Sequence, residues 1–235
     1  ISLYMFVWLS IFPLCFFIYS LKQPGDWAYL PIGILVVTLI FTFIGIGQNF
    51  VSGNEPISLF ATRNTYAAML NLIALPATAY FISPRQSRYR SPILWGIILF
   101  ILFFAVFQTG SKGATISLLL GLVFITVPSW KYIERSSFSI VLLILTTAFL
   151  FAYIQTDGYT VNRFHEVATN RSDESISERL LHWQSAWKTI KTAPIIGVGI
   201  GTYYIFEPAV RHKDIVEYQA GYFVHNDYLQ AWLET

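Results

Sequence analysis

The sequence has few charged residues and one cysteine. Asp, Glu, Lys and Arg make up 12% of its 235 residues, whereas soluble domains carry roughly 25%. Cys15 is the single cysteine of the sequence, so it can form no internal disulfide. Because it lies in an apolar run, we interpret it as a buried, inert thiol. The net charge of +2 is too small to indicate a nucleic-acid partner. This composition argues against an ordinary soluble domain and against a disulfide framework.

Sequence signatures of metal and nucleotide sites are also missing. The chain contains no CxxC and no HExxH, so nothing predicts a metal site. The segment 197–201 matches neither GxGxxG nor GxxxxGK[ST]; we interpret it as a tight connection whose glycines let a lipid headgroup or another loop approach closely. The acids Asp157, Asp173, Glu174 and Asp214 lack the paired spacing of glycosidase carboxylates. We therefore expect an activity that uses neither a metal nor a cofactor.

Long apolar runs fill residues 1–156. The chain is 55% hydrophobic and has a mean hydropathy of +0.55, and a membrane-spanning helix needs about 20 mostly apolar residues. The first run lacks the basic start and the small-residue cleavage site of a signal peptide, so we interpret it as a helix. The expected membrane helices are 1–21, 30–47, 64–82, 92–108, 114–127 and 138–156.

Residues 157–235 are abruptly polar, and their pattern is helical because period-2 alternation is absent. Ser175 and Glu178 have capping-box spacing at the start of an amphipathic helix that ends before Pro194. The apolar face of this helix comprises Leu180, Trp183, Trp187 and Ile190. A second helix is expected near Asn226 or Asp227, and both are expected to lie on the membrane surface. The predicted fold is all-α: a polytopic membrane helix bundle over 1–156, followed by a large, mainly helical loop segment over 157–235.

The distribution of Lys and Arg among the short loops predicts the orientation in the membrane. Six of these residues fall in the alternate loops at 22–29, 83–90 and 128–137. The opposite loops, 48–63 and 109–113, hold only Arg63 and Lys112. Short loops rich in Lys and Arg stay in the cytoplasm. We therefore predict that the two cation-poor loops and the segment 157–235 share the outer face of the membrane.

Two cations stand at predicted helix ends. Lys112 lies in the break 109–113 beside small residues, an arrangement that favours an anion site, although a lysine that caps a helix and reaches the headgroups has the same pattern. Arg179 is expected in the first turn of its helix, where it opposes the helix dipole and a phosphate would suit its guanidinium group. The alternative is a surface ion pair of Arg179 with Glu178 or Asp173.

His225 precedes Asn226 and Asp227, whose residue types predict a helix start. A helix N-terminus lowers the pKa of a nearby histidine, so the imidazole would be neutral near pH 7 and competent as a general base. The alternative is a capping residue without chemistry. His182 lies three residues after Arg179 on the same helix face, and we interpret it as an interfacial histidine.

The order and spacing of four short motifs resemble those of the O-antigen ligase and O-antigen polymerase superfamily. The motifs are Thr-Gly-Ser-Lys-Gly at 109–113, Glu-Arg-x-x-x-Trp at 178–183, Pro-Ile-Ile-Gly-Val-Gly-Ile-Gly at 194–201 and His-Asn-Asp-Tyr-Leu-Gln-x-x-x-Glu at 225–234. The resemblance covers about residues 54–235. Lys112 stands where the family usually has Arg, so it supplies the charge without the bidentate fork. Family members usually have about twice as many helices, and the chain begins at Ile1 and stops inside a helical pattern, so we expect a fragment of a longer protein.

The resemblance implies a metal-independent glycosyltransferase of the bacterial inner membrane, with 157–235 on the periplasmic or extracellular side. Such enzymes take a glycan from an undecaprenyl-pyrophosphate donor and transfer it to a lipid A core, a growing polysaccharide or a protein hydroxyl. Their cations bind the pyrophosphate, and their loop histidine activates the acceptor. These roles fall on Lys112 and Arg179 for the pyrophosphate, with Arg63 and Arg211 as weaker candidates, and on His225 for the acceptor.

Two other functions remain open from the sequence. The first is a transporter of a small anion such as bicarbonate, which should carry ionisable residues inside its membrane helices. The six runs contain no Asp, Glu, Lys, Arg or His, so chemistry at the membrane surface is favoured over passage through the middle. The second is a non-catalytic scaffold of a polysaccharide assembly complex, in which replacing His225 would have no effect.

Overall fold

The computed structural model describes residues 30–53, 55–60, 62–83, 91–169, 174–210 and 224–235. Within these ranges the regular secondary structure is helical and no strand is present, which confirms the predicted all-α class. The predicted helix 1–21, the arginines of the loop 83–90 and Arg211 lie outside the described residues. The chain divides into two compact units, one ending at His165 and the other beginning at Glu166.

The first unit consists of long apolar helices. They are α1 (Leu30–Ser52), α2 (Arg63–Ile82), α3 (Pro92–Gln108), α4 (Lys112–Ser129), a 3-10 turn (Trp130–Tyr132), α5 (Arg135–Gln155) and the start of α6 (Tyr159–Thr169). Four segments in the described part of the chain are long and apolar enough to cross a membrane: α1, α2, α4 with its 3-10 turn, and α5. The chain is therefore an integral membrane protein. α3 is shorter, at 17 residues, and is equally apolar.

α3 lies at the centre of this unit because it is apolar on every side. Leu99, Leu102 and Phe103 are fully buried, as expected for a helix without a polar face. α3 packs against α2 and, most extensively, α5. α1 presents small residues to the bundle, and a Cβ on Gly45 would stand 2.5 Å from the Tyr66 hydroxyl oxygen. Small residues of this kind let membrane helices approach closely.

Hydrogen bonds between different helices and loops show which helix ends lie together. Ser111 Oγ and Asn64 Oδ1 are 2.8 Å apart and join the N-termini of α4 and α2. Gln155 Nε2 donates to Asn49 Oδ1 at 2.7 Å and joins the C-termini of α5 and α1. The Glu134 amide donates to the Ile82 carbonyl at 3.1 Å at the opposite end. The connections 53–62, 109–111 and 156–158 therefore share one end of the bundle, here called the upper end, while the loop before α5 lies at the lower end.

The second unit contains α7 (Glu174–Thr192), α8 (Tyr203–Val210) and α9 (Asp227–Glu234). Its core comprises Ala186, Ile190, Tyr203, Val224 and Leu233. The apolar face predicted for α7 is divided: Ile190 lies in this core and Trp183 packs against it, whereas Leu180 and Trp187 are 48% and 45% exposed. The small side chains Ser185, Ala186 and Thr189 also face inward, because α8 and α9 both pack closely on this helix.

Two helix boundaries change the setting of the candidate cations. α4 begins at Lys112 itself, so this residue opens a helix and does not lie in a loop. α7 begins at Glu174, before the expected capping residue Ser175. Arg179 therefore lies in the second turn of α7, where the helix dipole acts on it less strongly than the sequence indicated.

Candidate functional site

The N-termini of α2 and α4 adjoin at the upper end of the first unit, and each begins with a cation. Arg63 follows the N-cap Thr62, whose hydroxyl accepts from the Thr65 amide. Lys112 follows the N-cap Ser111, whose hydroxyl accepts from the Ala114 amide and also contacts Asn64. A cation in the first turn opposes the helix dipole, and two adjacent N-termini concentrate positive potential. This end of the unit is therefore suited to an anionic group.

The turn between α3 and α4 has a fixed geometry that the Thr-Gly-Ser sequence supports. Gly110 has φ +60°, and a Cβ there would stand 2.5 Å from Cε1 of Tyr159. The Ser111 amide donates to Thr109 Oγ1 at 3.2 Å. Thr160 Oγ1 donates to the Phe107 carbonyl at 2.6 Å. The turn is thus held against the start of α6, which fixes the direction in which α4 and Lys112 begin.

Arg63 is engaged by two side chains of the same unit. Its guanidinium forms an ion pair with Glu55 and donates to the Tyr159 hydroxyl at 2.6 Å. Tyr159 in turn donates to Glu55 Oε1 at 3.0 Å. The Arg63 side chain is 17% exposed. Any anion that bound Arg63 would therefore compete with the Glu55 carboxylate.

In the second unit His225 lies against His182 of α7. The two ring centroids are 5.6 Å apart, with an angle of 59° between the ring planes. The pKa of His225 is lowered by partial burial, and then by the charges of His182 and Arg179. The direction is the one expected from the helix start, but the largest cause is burial, which no sequence pattern reveals. A lowered pKa keeps the imidazole neutral, as a proton acceptor requires.

His182 is not the interfacial histidine that the sequence suggested. It is 3% exposed, and its buried Nδ1 has no hydrogen-bond partner among the described residues. Arg179, one turn earlier on α7, is exposed. The second unit therefore brings three of the sequence candidates, Arg179, His182 and His225, into one electrostatic neighbourhood.

The backbone around His225 is fixed by Asn226, Gln230 and Glu234 of the same motif. Asn226 Oδ1 caps α9 by accepting from the Tyr228 and Leu229 amides. Gln230 Oε1 accepts from the Val224 amide at 2.8 Å, and its Nε2 donates to Glu234 Oε1 at 2.7 Å. His225 itself has φ +57°, a left-handed conformation that is uncommon for non-glycine residues but that histidine adopts more often than most of them. Sequence reasoning missed the roles of Gln230 and Glu234, although their i, i+4 spacing was a usable signal.

The glycine-rich connection after α7 packs on α9. Gly197 has φ +58°, and a Cβ there would stand 2.6 Å from the Leu233 carbonyl oxygen. The Val198 amide donates to that same carbonyl at 2.7 Å. Trp232 Nε1 donates to the Pro194 carbonyl at 3.0 Å. The close neighbour of Gly197 in the described chain is thus helix α9, which begins directly after His225 and Asn226.

A comparison with known families agrees with these motifs. The family model described as O-antigen ligase matches residues 97–235, which include Lys112, Arg179 and His225. No curated protein and no solved structure gives a significant match. Because the family model covers more than half of the chain, this integral membrane protein belongs to the O-antigen ligase family, whose members are glycosyltransferase-type enzymes of polysaccharide biosynthesis.

Proposed function

We propose that the protein transfers a glycan from an undecaprenyl-pyrophosphate donor to an acceptor hydroxyl, without a metal ion, at the outer face of the bacterial inner membrane. The acceptor hydroxyl belongs to a lipid A core, to a growing polysaccharide or to a protein, and ligase and polymerase activities share this chemistry. The observation that carries the proposal is the setting of His225, which is held against His182 with a lowered pKa inside the family motif.

In the proposed reaction His225 is the general base. Its neutral imidazole takes the proton of the acceptor hydroxyl while the hydroxyl oxygen attacks the anomeric carbon of the donor sugar. The bond between that carbon and the pyrophosphate oxygen breaks, and undecaprenyl pyrophosphate leaves with the electron pair. The proton remains on His225 until solvent removes it.

Lys112 and Arg179 are the proposed ligands of the donor pyrophosphate. Lys112 is supported by its place at the first residue of α4, beside the N-terminus of α2. Arg179 is supported by its exposure on α7 and by its electrostatic influence on His225. Arg63 is a secondary candidate because Glu55 already balances its charge. Arg211 remains a weaker candidate ligand of the pyrophosphate on the basis of the family resemblance alone.

The test compares histidine variants in a membrane assay of glycan transfer and donor retention. Loss of a positioned base typically lowers the rate about 10²–10⁴-fold, so His225→Ala should fall in that range while donor retention stays normal. His165→Ala is the matched control because His165 is an exposed histidine on α6. His182→Ala should show a smaller loss, since His182 contacts His225 and acts through it. Normal transfer by His225→Ala would refute the assignment and favour the scaffold.

A further inference from the structure

An open pocket of about 390 Å³ lies at the upper end of the first unit. Its volume is near the lower end of the range of about 300–1,000 Å³ that small-molecule pockets occupy. The polar side chains that line it are Asn49, Glu55, Gln108, Gln155, Thr156, Asp157 and Tyr159. None of them was singled out as a site residue by the sequence motifs.

Three carboxamides form a hydrogen-bonded cluster in this pocket. Gln108 Nε2 donates to Asn49 Oδ1 at 3.2 Å and to Gln155 Oε1 at 3.0 Å. Gln155 Nε2 also donates to Asn49 Oδ1, at 2.7 Å. Both hydrogens of the Gln108 amide group are thereby used within the cluster.

Gln108 has an oxygen that this cluster leaves unsatisfied. The side chain is 1% exposed, and its Oε1 has no hydrogen-bond partner among the described residues. A buried acceptor without a partner costs about 1–3 kcal/mol. Because Gln108 lines the pocket, a ligand hydroxyl that reached this oxygen after a small shift of the atoms that cover it would remove this cost.

The charges around the pocket do not favour an anion. Among the described residues no Lys, Arg or His lines the pocket, Asp157 is a carboxylate, and the charge of Glu55 is balanced by Arg63. The lining therefore does not attract phosphate, whereas carboxylates and amides together accept from and donate to hydroxyl groups. Tyr159 adds an aromatic side chain, whose face suits the apolar C–H face of a sugar ring. A neutral polyhydroxyl ring fits the set of groups better than an anionic or an apolar ligand does.

The pocket is continuous with the candidate anion site through shared residues. Glu55 and Tyr159 line the pocket and also bind Arg63 at the N-terminus of α2. From this continuity we propose that the pocket binds the sugar ring attached directly to the donor pyrophosphate. The inference rests on the proposed function and deepens it, because it assigns Gln108 and Gln155 to recognition of that first sugar.

The experiment measures how much a sugar adds to the affinity of a short donor analogue. The probes are farnesyl pyrophosphate and farnesyl pyrophosphate carrying glucose, galactose or N-acetylglucosamine, titrated against the protein in nanodiscs. At least one sugar-bearing probe should bind about tenfold more tightly than the sugar-free probe, the factor expected from one or two hydrogen bonds. Gln108→Leu and Gln155→Leu should bring the ratio of the affinities for the sugar-bearing and the sugar-free probe close to one. Both variants should leave the affinity for farnesyl pyrophosphate itself unchanged.

The control is Gln184→Leu, which replaces an exposed glutamine of α7 outside the pocket and should keep the wild-type ratio. Binding of farnesyl pyrophosphate also reports that each variant is folded. Gln155 is at the end of α5 and only partly buried, so its variant decides the outcome if Gln108→Leu loses all binding. The sugar pocket is refuted, and the pyrophosphate site is not, if the wild-type protein binds all three sugar-bearing probes no more tightly than the sugar-free probe. The same conclusion follows if Gln155→Leu keeps the wild-type ratio of these affinities. Failure of every probe, including the sugar-free one, overturns the pyrophosphate site as well.

Discussion

Gly197→Ala should loosen the contact between the glycine-rich connection and α9. The new Cβ would stand 2.6 Å from the Leu233 carbonyl oxygen, 2.7 Å from the Thr235 nitrogen and 2.8 Å from the Glu234 carbonyl carbon. All three are backbone atoms of the helix end, so no flexible side chain can move aside. The backbone must also keep φ +58°, which an alanine adopts only with strain.

The size of the effect follows from two contributions. The left-handed backbone costs about 1 kcal/mol for alanine, and loss of the hydrogen bond from Val198 to Leu233 costs about 1 kcal/mol more. A total of about 2 kcal/mol raises the population of the locally open state roughly 30-fold. Amide hydrogen exchange of peptides covering 198–203 and 227–235 should therefore accelerate by about that factor.

The control for this measurement is Gly47→Ala, because a Cβ on Gly47 in α1 would meet nothing within 4 Å. Exchange in the peptides of the second unit should be the same in this variant as in the wild type. Glycan transfer should fall in Gly197→Ala, since α9 begins directly after His225 and Asn226. Unchanged exchange at 227–235 in Gly197→Ala would refute the packing argument.

Three further predictions concern orientation, charge and pH. Reporter fusions after Gly158 should show activity outside the cytoplasm and fusions after Gln86 activity inside it, and the reverse result would invert the proposed topology. Lys112→Ala should weaken donor binding while Lys112→Arg retains much of it, so normal transfer by Lys112→Ala would remove Lys112 from the site. At saturating donor, the rate of transfer should decline only as the pH falls through the lowered pKa of His225. Arg179→Gln should move that decline to higher pH, because it removes one of the causes that lower the pKa of His225. A pH profile that is the same in Arg179→Gln and the wild type would contradict the role of Arg179.

The helix class and the approximate positions of the apolar helices follow from hydropathy, since apolar runs of this length have few other stable forms. The helix boundaries in the structure differ from the predicted ones because capping and packing determine them. For example, α1 continues to Ser52, whereas the predicted helix ended at residue 47. The burial of His182 depends on where α9 packs on α7, which periodicity within α7 does not encode. The carboxamide cluster joins residues 49, 108 and 155, and such long-range neighbours leave no local pattern in one sequence.

The placement of polar side chains bears on the competing transporter function. Along the described spans, Asn71 in the middle of α2 donates to the Ala114 carbonyl and to Ser117 Oγ, both at 2.8 Å, and Thr78 donates to a carbonyl of its own helix. The hydrogen bonds of Asn71 join α2 to α4, that of Thr78 stays within α2, and neither side chain carries a charge. The cations, the carboxylates and the carboxamide cluster are concentrated at helix ends instead. Because lipid-linked donors and hydroxyl acceptors meet at the membrane surface, this distribution suits glycan transfer, whereas a conduction path needs ionisable or hydrated groups at mid-depth.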